Sequence, residues 1–439
     1  MHPLRRYCSR QRLGLGLALI LGVVPVAGAQ TPADTTGAAQ AIRDYLAAAA
    51  QDGGRLWGRS LAGPMILVDP ATRAAFATAK PPGGEFRETN GLWAGTIPEG
   101  IPTANFALTW AGSRWAMVLL PLPGDRFLSL QLLLHEAFHG IQEAIGLAAI
   151  DRLNPHLDER DGRYWLRLEL RALSAALSQQ GEARKRAARD ALLFRAERLA
   201  HYPGADSLEG SLEVAEGLAE YTGTRLALDH LRLPQSRAAE LATRFERRKT
   251  YVRSLGYGTG PGLGLLLDDY APAWRTRVAR EGLAPQLVTA LRFKAGSSGD
   301  ARRAAARYDA TALAAEEDNR AGERARALAD YRARLIDGPV LSLRQSGLQR
   351  AFNPNELVAM GPEGTVYPTG NFGAEWGTLD VESGGVLVSP DFSLARLAAP
   401  KNPAGSVIQG DGWELKLNAG WRLVAGERAG DWEVVKDGR

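Results

Sequence analysis

The sequence predicts an α+β protein: a mostly helical central domain, preceded by a mixed α/β region with a β-hairpin and followed by a small β domain. Apolar residues recur with helical spacing through most of residues 125–282. Two short β-prone runs just before this segment indicate a hairpin, and β-prone runs separated by Gly and Pro follow Pro339. The predicted order is a signal peptide (1–29), a mixed α/β region (30–124), the helical domain (125–282), a helical connector (283–338) and the β domain (339–439).

The first 29 residues have the pattern of a secretory signal peptide. A start with four arginines is followed by the apolar run Leu13–Val26 and by Ala27-Gly28-Ala29, an A-x-A cleavage pattern. This apolar run is short for a membrane-spanning helix, which needs about 20 residues. We therefore expect an exported protein, periplasmic or secreted, with no stable membrane insertion after the signal is removed.

Charge and cysteine content exclude several classes of protein. The chain has 53 basic and 49 acidic residues, and the four arginines of the signal account for the difference, so no nucleic-acid partner is expected. The single cysteine, Cys8, lies within the signal, which excludes disulfides and thiolate metal ligands from the mature chain. The remaining length, about 410 residues, is enough for two or three domains.

Local patterns place the individual elements. In the first region they predict a helix over 36–50, a buried strand over 64–68, and a hairpin of strands 106–110 and 115–120 joined by a four-residue loop. The central domain is predicted to contain helices over 129–145, 164–179, 187–201, 207–228 and 235–253. A charged, exposed helical stretch over 311–335 precedes predicted strands within 377–388, 413–417 and 421–424.

The motif with the clearest chemistry is His135-Glu136-Ala137-Phe138-His139, an H-E-x-x-H sequence within a predicted helix. Residues i and i+4 lie one turn apart on the same helix face, so both imidazoles can reach one Zn²⁺ ion at about 2.0–2.1 Å. Glu136 would then lie beside the metal as a general base toward water. The apolar residues around the motif argue against two merely structural histidines, because buried polar groups need partners.

A catalytic zinc ion needs a third protein ligand, and the residues close to the motif do not supply it. The extended metzincin pattern requires Gly at position 142 and His at 145, which are Gln142 and Ile145 here. Glu143 lies two turns from His135, too far along the helix axis to share the ion. The ligand must therefore come from another part of the chain.

Downstream, the stretch Glu213–Tyr221 contains Glu216-Gly217-Leu218-Ala219-Glu220-Tyr221. Together with the H-E-x-x-H motif, this stretch resembles the gluzincin metallopeptidases, whose second helix carries a Glu ligand and, four residues later, an acidic residue behind a ligating histidine. The resemblance implies that Glu216 is the third ligand and that Glu220 holds the ring of His135. It also implies a metallopeptidase fold and a peptide or protein substrate.

The acidic face of this second helix is a separate reason to expect a cation. Glu209, Glu213, Glu216 and Glu220 recur on one face, where like charges repel by about 0.2–0.5 kcal/mol per pair. For Glu209 and Glu213 the pattern favours a solvated acidic face. The small residues around Glu216 favour close helix packing and a ligand, although Glu213 stays open as the alternative third ligand.

Gluzincins commonly supply an oxyanion donor from a Tyr or His beyond the Glu helix. Tyr257, which opens a glycine-rich stretch predicted to be a turn, is the first choice, and Tyr251 is the alternative. The predicted function is zinc-dependent hydrolysis of peptide bonds, with Glu136 activating water. Two alternatives stay open: a zinc hydrolase with a non-peptide substrate, and a non-catalytic envelope protein stabilised by its metal.

Overall fold

The structure is a computed structural model that describes residues 35–147, 150, 152–344, 349–352 and 356–438. The predicted signal peptide, 1–29, lies outside the described residues. The chain divides into two compact units, Met1–Leu313 and Ala314–Arg439. The predicted α+β class is confirmed, since helices dominate the first unit and strands the second. Among the described residues, no helix has both the length and the apolar character needed to cross a membrane.

The helices, in chain order, are α1 (Thr35–Asp52), α2 (Arg126–Gln142), α3 (Arg160–Ser178), α4 (Gly181–His201), α5 (Ala205–Leu212), α6 (Leu218–Leu231), α7 (Ser236–Phe245), α8 (Leu255–Tyr270), α9 (Val278–Glu281), α10 (Ala284–Ala290), α11 (Ser298–Ala305) and α12 (Ala310–Arg332). Between α5 and α6, Glu213–Gly217 forms a turn of π-helix, called here the π-turn. A second π-helical segment, Ala333–Asp337, follows α12.

The first unit contains one six-stranded sheet, and the order of its strands is β3-β4-β2-β1-β6-β5. The strands are β1 (Met65–Val68), β2 (Ala74–Ala77), β3 (Glu85–Thr89), β4 (Leu92–Thr96), β5 (Phe106–Trp110) and β6 (Ser113–Leu119). β1 is buried along its whole length and pairs in parallel with β6, which suits its uninterrupted apolar sequence. α2 follows β6 and packs against both β6 and β5.

The hairpin has a two-residue loop, so the predicted four-residue loop is wrong. Trp110 pairs with Ser113, which leaves only Ala111 and Gly112 between the strands. Both loop residues have positive φ, 45° and 82°, as tight hairpin turns of the favoured type require.

α2 lies at the centre of the first unit. Its apolar face shares one core with α1, β1, α6 and α8. A β-carbon at Gly223 of α6 would lie 2.4 Å from the carbonyl oxygen of Gln131 in α2, so the two helices touch backbone to backbone. This contact brings the H-E-x-x-H helix and the acidic helix together.

The predicted helix over 235–253 is too long, because α7 ends at Phe245. The carboxylate of the next residue, Glu246, lies 2.8 Å from Arg167 and 2.9 Å from Arg171 of α3. These ion pairs hold the segment after α7 against α3. The helix ends at this point and does not continue to residue 253.

The second unit contains two β-sheets in which most neighbouring strands are antiparallel. The seven-stranded sheet has the order β17-β18-β7-β14-β13-β10-β9, and the five-stranded sheet has the order β15-β16-β12-β11-β8. A core that includes Trp376 and Trp413 lies within this unit. The strands are β7 (Val340–Arg344), β8 (Gln349–Ala351), β9 (Val358–Ala359), β10 (Thr365–Tyr367), β11 (Gly370–Ala374), β12 (Gly377–Val381), β13 (Val386–Val388), β14 (Leu394–Ala398), β15 (Val407–Gln409), β16 (Trp413–Leu417), β17 (Trp421–Ala425) and β18 (Trp432–Lys436).

Candidate metal centre

His135 and His139 lie one turn apart on α2, with their ring centroids 4.8 Å apart. The helix begins where Asp125 accepts a 3.1 Å hydrogen bond from the amide of Leu128. Apolar residues bury most of its faces, so His135 is only 3% exposed. The two Nε2 atoms approach to 3.1 Å. The helix therefore presents two imidazole nitrogens to one point.

Glu216 completes a triangle of ligand atoms with the two histidines. Its Oε2 lies 3.5 Å from Nε2 of His135 and 3.4 Å from Nε2 of His139. A tetrahedral metal ion with bonds of about 2.0–2.1 Å keeps its ligand atoms about 3.3–3.4 Å apart. The three edges of the triangle are close to this value. These three residues can hold a metal ion.

Glu220 orients the first histidine. Nδ1 of His135 lies 2.8 Å from Oε2 of Glu220, and Gln131 donates a 2.6 Å hydrogen bond to the other carboxylate oxygen. A carboxylate only accepts, so Nδ1 of His135 carries a proton, and Nε2 is the ring nitrogen that a metal ion would bind. The structure thus brings Glu220 to the position that the resemblance implies.

Gln142 orients the second histidine, and the sequence reasoning did not include it in the site. Its Oε1 lies 2.8 Å from Nδ1 of His139. The amide oxygen accepts there, so Nδ1 of His139 also carries a proton and its Nε2 is the ring nitrogen that a metal ion would bind. The spacing of three residues along α2 was a signal for this contact, because i and i+3 are neighbours on a helix.

Tyr257 lies in the site, but the glycine-rich stretch that it opens is not a turn. Residues Leu255–Tyr270 form α8, with Pro261 inside it. The ring of Tyr257 stacks on that of His135 at 5.4 Å, and its hydroxyl donates a 2.6 Å hydrogen bond to Oε2 of Glu216. Tyr251, the alternative donor, is fully buried elsewhere, and its hydroxyl donates to the carbonyl oxygen of Glu246.

The stretch is helical because its glycines let α8 lie directly on the π-turn. A β-carbon at Gly260 would lie 2.3 Å from the carbonyl oxygen of Gly217. Any larger residue at this position would push the two segments apart. The glycines therefore serve close packing of helices, which also brings Tyr257 next to Glu216.

Glu136 is buried beside the triangle and is only 5% exposed. Within the described part of the chain, its Oε2 has no hydrogen-bond partner. Burial raises the pKa of the Glu136 carboxyl above its ordinary value of 4.5. A buried carboxylate oxygen without a partner costs folding free energy. Such a group in a site is a candidate to accept a hydrogen bond or a proton from a molecule that enters it.

Within the triangle, the carboxylate of Glu216 attracts both histidines, and the pKa values of these groups reflect that attraction. Burial lowers the pKa of His135, but its hydrogen bonds to Glu216 and Glu220 outweigh this effect and leave the pKa well above 6.5. For Glu216, burial raises the pKa, and the hydrogen bonds from the two histidines outweigh it and leave the pKa well below 4.5. A metal cation would replace the positive charge that these protons supply.

The prediction of a solvated acidic face for Glu209 and Glu213 is wrong, because both side chains are buried. Two hydrogen bonds of 2.7 Å join Glu209 to Arg198, while Glu213 pairs with Arg195 and accepts a 2.7 Å hydrogen bond from Thr259. The arginines come from α4, which the local pattern of the acidic helix could not reveal. Glu213 is not a member of the metal-binding group.

Comparisons of this chain with protein-family models, with curated proteins and with solved structures find no match. The chemistry of the site is therefore inferred from its own residues.

Proposed function

We propose that this chain is a zinc metallohydrolase of the gluzincin type that cleaves peptide bonds after export. The observation that carries the proposal is the triangle of His135, His139 and Glu216, beside a buried carboxylate oxygen of Glu136 that has no hydrogen-bond partner among the described residues. Two imidazole nitrogens and one carboxylate oxygen, with a fourth position left for water, are the ligand set typical of a catalytic zinc site.

Each remaining residue of the site has a role that fits hydrolysis. Zn²⁺ in such a site supplies Lewis acidity, which polarises a carbonyl group and makes water more acidic. Glu136 accepts the proton of the attacking water and passes it to the leaving amine. The hydroxyl of Tyr257 donates a hydrogen bond to the developing oxyanion. Glu220 and Gln142 hold the two imidazole rings in the tautomer that leaves Nε2 free.

The substrate and the compartment rest on the sequence. The motifs that resemble the gluzincins favour an amide substrate, and the predicted signal peptide favours peptides or proteins outside the cytoplasm. Nothing in the charge of the chain favours nucleic acid. A non-peptide substrate is the alternative that direct assay would identify.

The decisive experiment compares the mature protein, starting at Gln30, with Glu136→Ala and with Glu143→Ala. Glu143 is an exposed acidic residue just after α2, so it is a matched control. Zinc content is measured by mass spectrometry of the purified proteins, and hydrolysis is measured on a peptide library and on a panel of non-peptide esters and amides.

We expect one zinc ion per chain in all three proteins and peptide cleavage by the wild type and Glu143→Ala only. If zinc-loaded wild type cleaves nothing faster than Glu136→Ala, the enzymatic proposal is wrong. If it cleaves only the non-peptide panel, the zinc hydrolase stands and the peptide substrate does not.

A further inference from the structure

Glu216, the ligand on the second helix, belongs to the π-turn and not to a regular α-helix. The amide of Leu218 donates to the carbonyl oxygen of Glu213, a spacing of five residues. Such π-turns insert one extra residue into a helix and occur often at functional sites. The direction in which Glu216 points therefore depends on whether this turn keeps its π-helical form.

Gln142 contacts the π-turn from the other helix. Its Nε2 donates hydrogen bonds of 2.9 Å to the carbonyl oxygen of Val214 and 3.0 Å to that of Ala215. The same side chain accepts from Nδ1 of His139 at 2.8 Å. One amide thus makes three hydrogen bonds that join a metal ligand on α2 to the turn that carries Glu216.

We infer that Gln142 is a positioning residue that sets the distance between His139 and Glu216 by holding the π-turn against α2. The inference rests on the proposed metal site and adds to it how that site is assembled from two helices. Gln142 is 8% exposed, so its amide cannot replace these three partners with solvent.

The chemistry of the three contacts requires an amide. The His139 contact needs an acceptor, whereas the two carbonyl oxygens need donors. A carboxylate at this position keeps the acceptor and loses both donors. An apolar side chain of similar size loses all three. Gln142→Glu and Gln142→Leu therefore separate the contact with His139 from the contact with the π-turn.

The test uses the mature chain with these two variants and with Gln286→Leu as a matched control. Gln286 is also a buried glutamine, and it donates a 2.9 Å hydrogen bond to the carbonyl oxygen of Gly282, away from the site. Zinc affinity is measured by competition with a chelator. The visible spectrum of the Co²⁺-loaded protein reports the ligand set, with Glu216→Ala as the reference that lacks the carboxylate.

We expect zinc affinity to fall about 10–100-fold in both Gln142 variants and to stay unchanged in Gln286→Leu. The Co²⁺ spectrum of Gln142→Glu should shift toward that of Glu216→Ala, because the π-turn no longer holds Glu216 in place. A purely structural role would lower thermal stability without changing this spectrum. If Gln142→Leu does not fold, Gln142→Glu alone gives the same comparison.

Wild-type zinc affinity and an unchanged Co²⁺ spectrum in the folded Gln142 variants would overturn this inference and leave the proposed function intact. A wild type that binds no zinc would overturn the proposed function and this inference together.

Discussion

The hydroxyl of Tyr257 donates its hydrogen bond to Oε2 of Glu216, the same oxygen that faces both histidine rings. The stacking of Tyr257 on His135 keeps the hydroxyl within reach of this oxygen. If Glu216 held a cation, this hydroxyl would be close enough to turn toward an oxygen of a bound substrate. Its position therefore fits a donor to the oxyanion.

Tyr257→Phe is expected to lower kcat by about 10²–10³-fold, because the donor to the oxyanion is lost. Zinc affinity should stay close to that of the wild type, since the triangle is intact. Steady-state kinetics and a zinc titration measure both quantities. Tyr251→Phe is the control: it removes a buried hydroxyl away from the site and should cost stability, about 1 kcal/mol, while kcat is unchanged. Equal activity of both variants would contradict the role of Tyr257.

Glu136→Gln is expected to lower kcat/KM by about 10²–10⁴-fold through loss of the general base. The same variant should not destabilise the metal-free protein, because one oxygen of the buried wild-type carboxylate has no partner in the part of the chain that the structure describes. Denaturant unfolding of chelator-treated proteins measures this. A loss of several kcal/mol in unfolding free energy would identify Glu136 as a structural residue.

Glu220→Ala is expected to weaken zinc binding about 10–100-fold, because Nδ1 of His135 loses the carboxylate that fixes its tautomer. Chelator competition gives the affinity directly. Glu143→Ala, which changes an exposed carboxylate near the same helix, should bind zinc like the wild type. If Glu220→Ala binds zinc as tightly as this control, Glu220 does not orient the ligand.

The buried pair of Glu209 and Arg198 predicts a loss of stability in acid. Burial raises the pKa of Glu209, but Arg198 and His156 outweigh it and hold the pKa well below 4.5. The folded state therefore binds fewer protons than the unfolded state, so this stabilisation is complete above about pH 4.5 and is lost as pH falls toward the folded pKa.

Glu209→Gln should lower the unfolding free energy at pH 7 by about 1–3 kcal/mol, because Arg198 loses one charged partner and keeps the other, Glu169, at 2.7 Å. Its unfolding free energy should also fall less between pH 6 and pH 3 than that of the wild type. Urea unfolding followed by circular dichroism across this pH range measures both. Glu240→Gln, at an exposed position of α7, should follow the wild-type curve.

Patterns of neighbouring residues were sufficient to predict the H-E-x-x-H helix and the buried strand β1. The separation of His135 and His139 fixes their common face on any helix, and the apolar run of β1 indicates a buried strand. The α+β class followed from the change of pattern along the chain. The choice of Glu216 came from the resemblance of its short acidic motif to the gluzincins, and the structure brings this residue to both histidines.

The features that sequence reasoning missed depend on residues distant in the chain. Glu209 and Glu213 are buried because α4 supplies arginines, and no pattern within the acidic helix contains those partners. The stretch after Tyr257 is helical despite its glycines and proline, because close packing on the π-turn needs small residues there. Gln142 enters the sequence prediction only as a mismatch to the metzincin pattern, and two of its three partners, Val214 and Ala215, lie on the distant π-turn.

At Gly217 and Gly260, the backbone of the π-turn lies directly against the backbone of α8. Side chains can adjust a contact by changing rotamer, whereas two backbones in contact can only separate as whole segments. Heat should therefore not loosen the metal-binding residues gradually before the helices melt. We expect zinc release and helix melting to occur in one transition at the same temperature. A fluorescent chelator follows the zinc release, and circular dichroism follows the loss of helix.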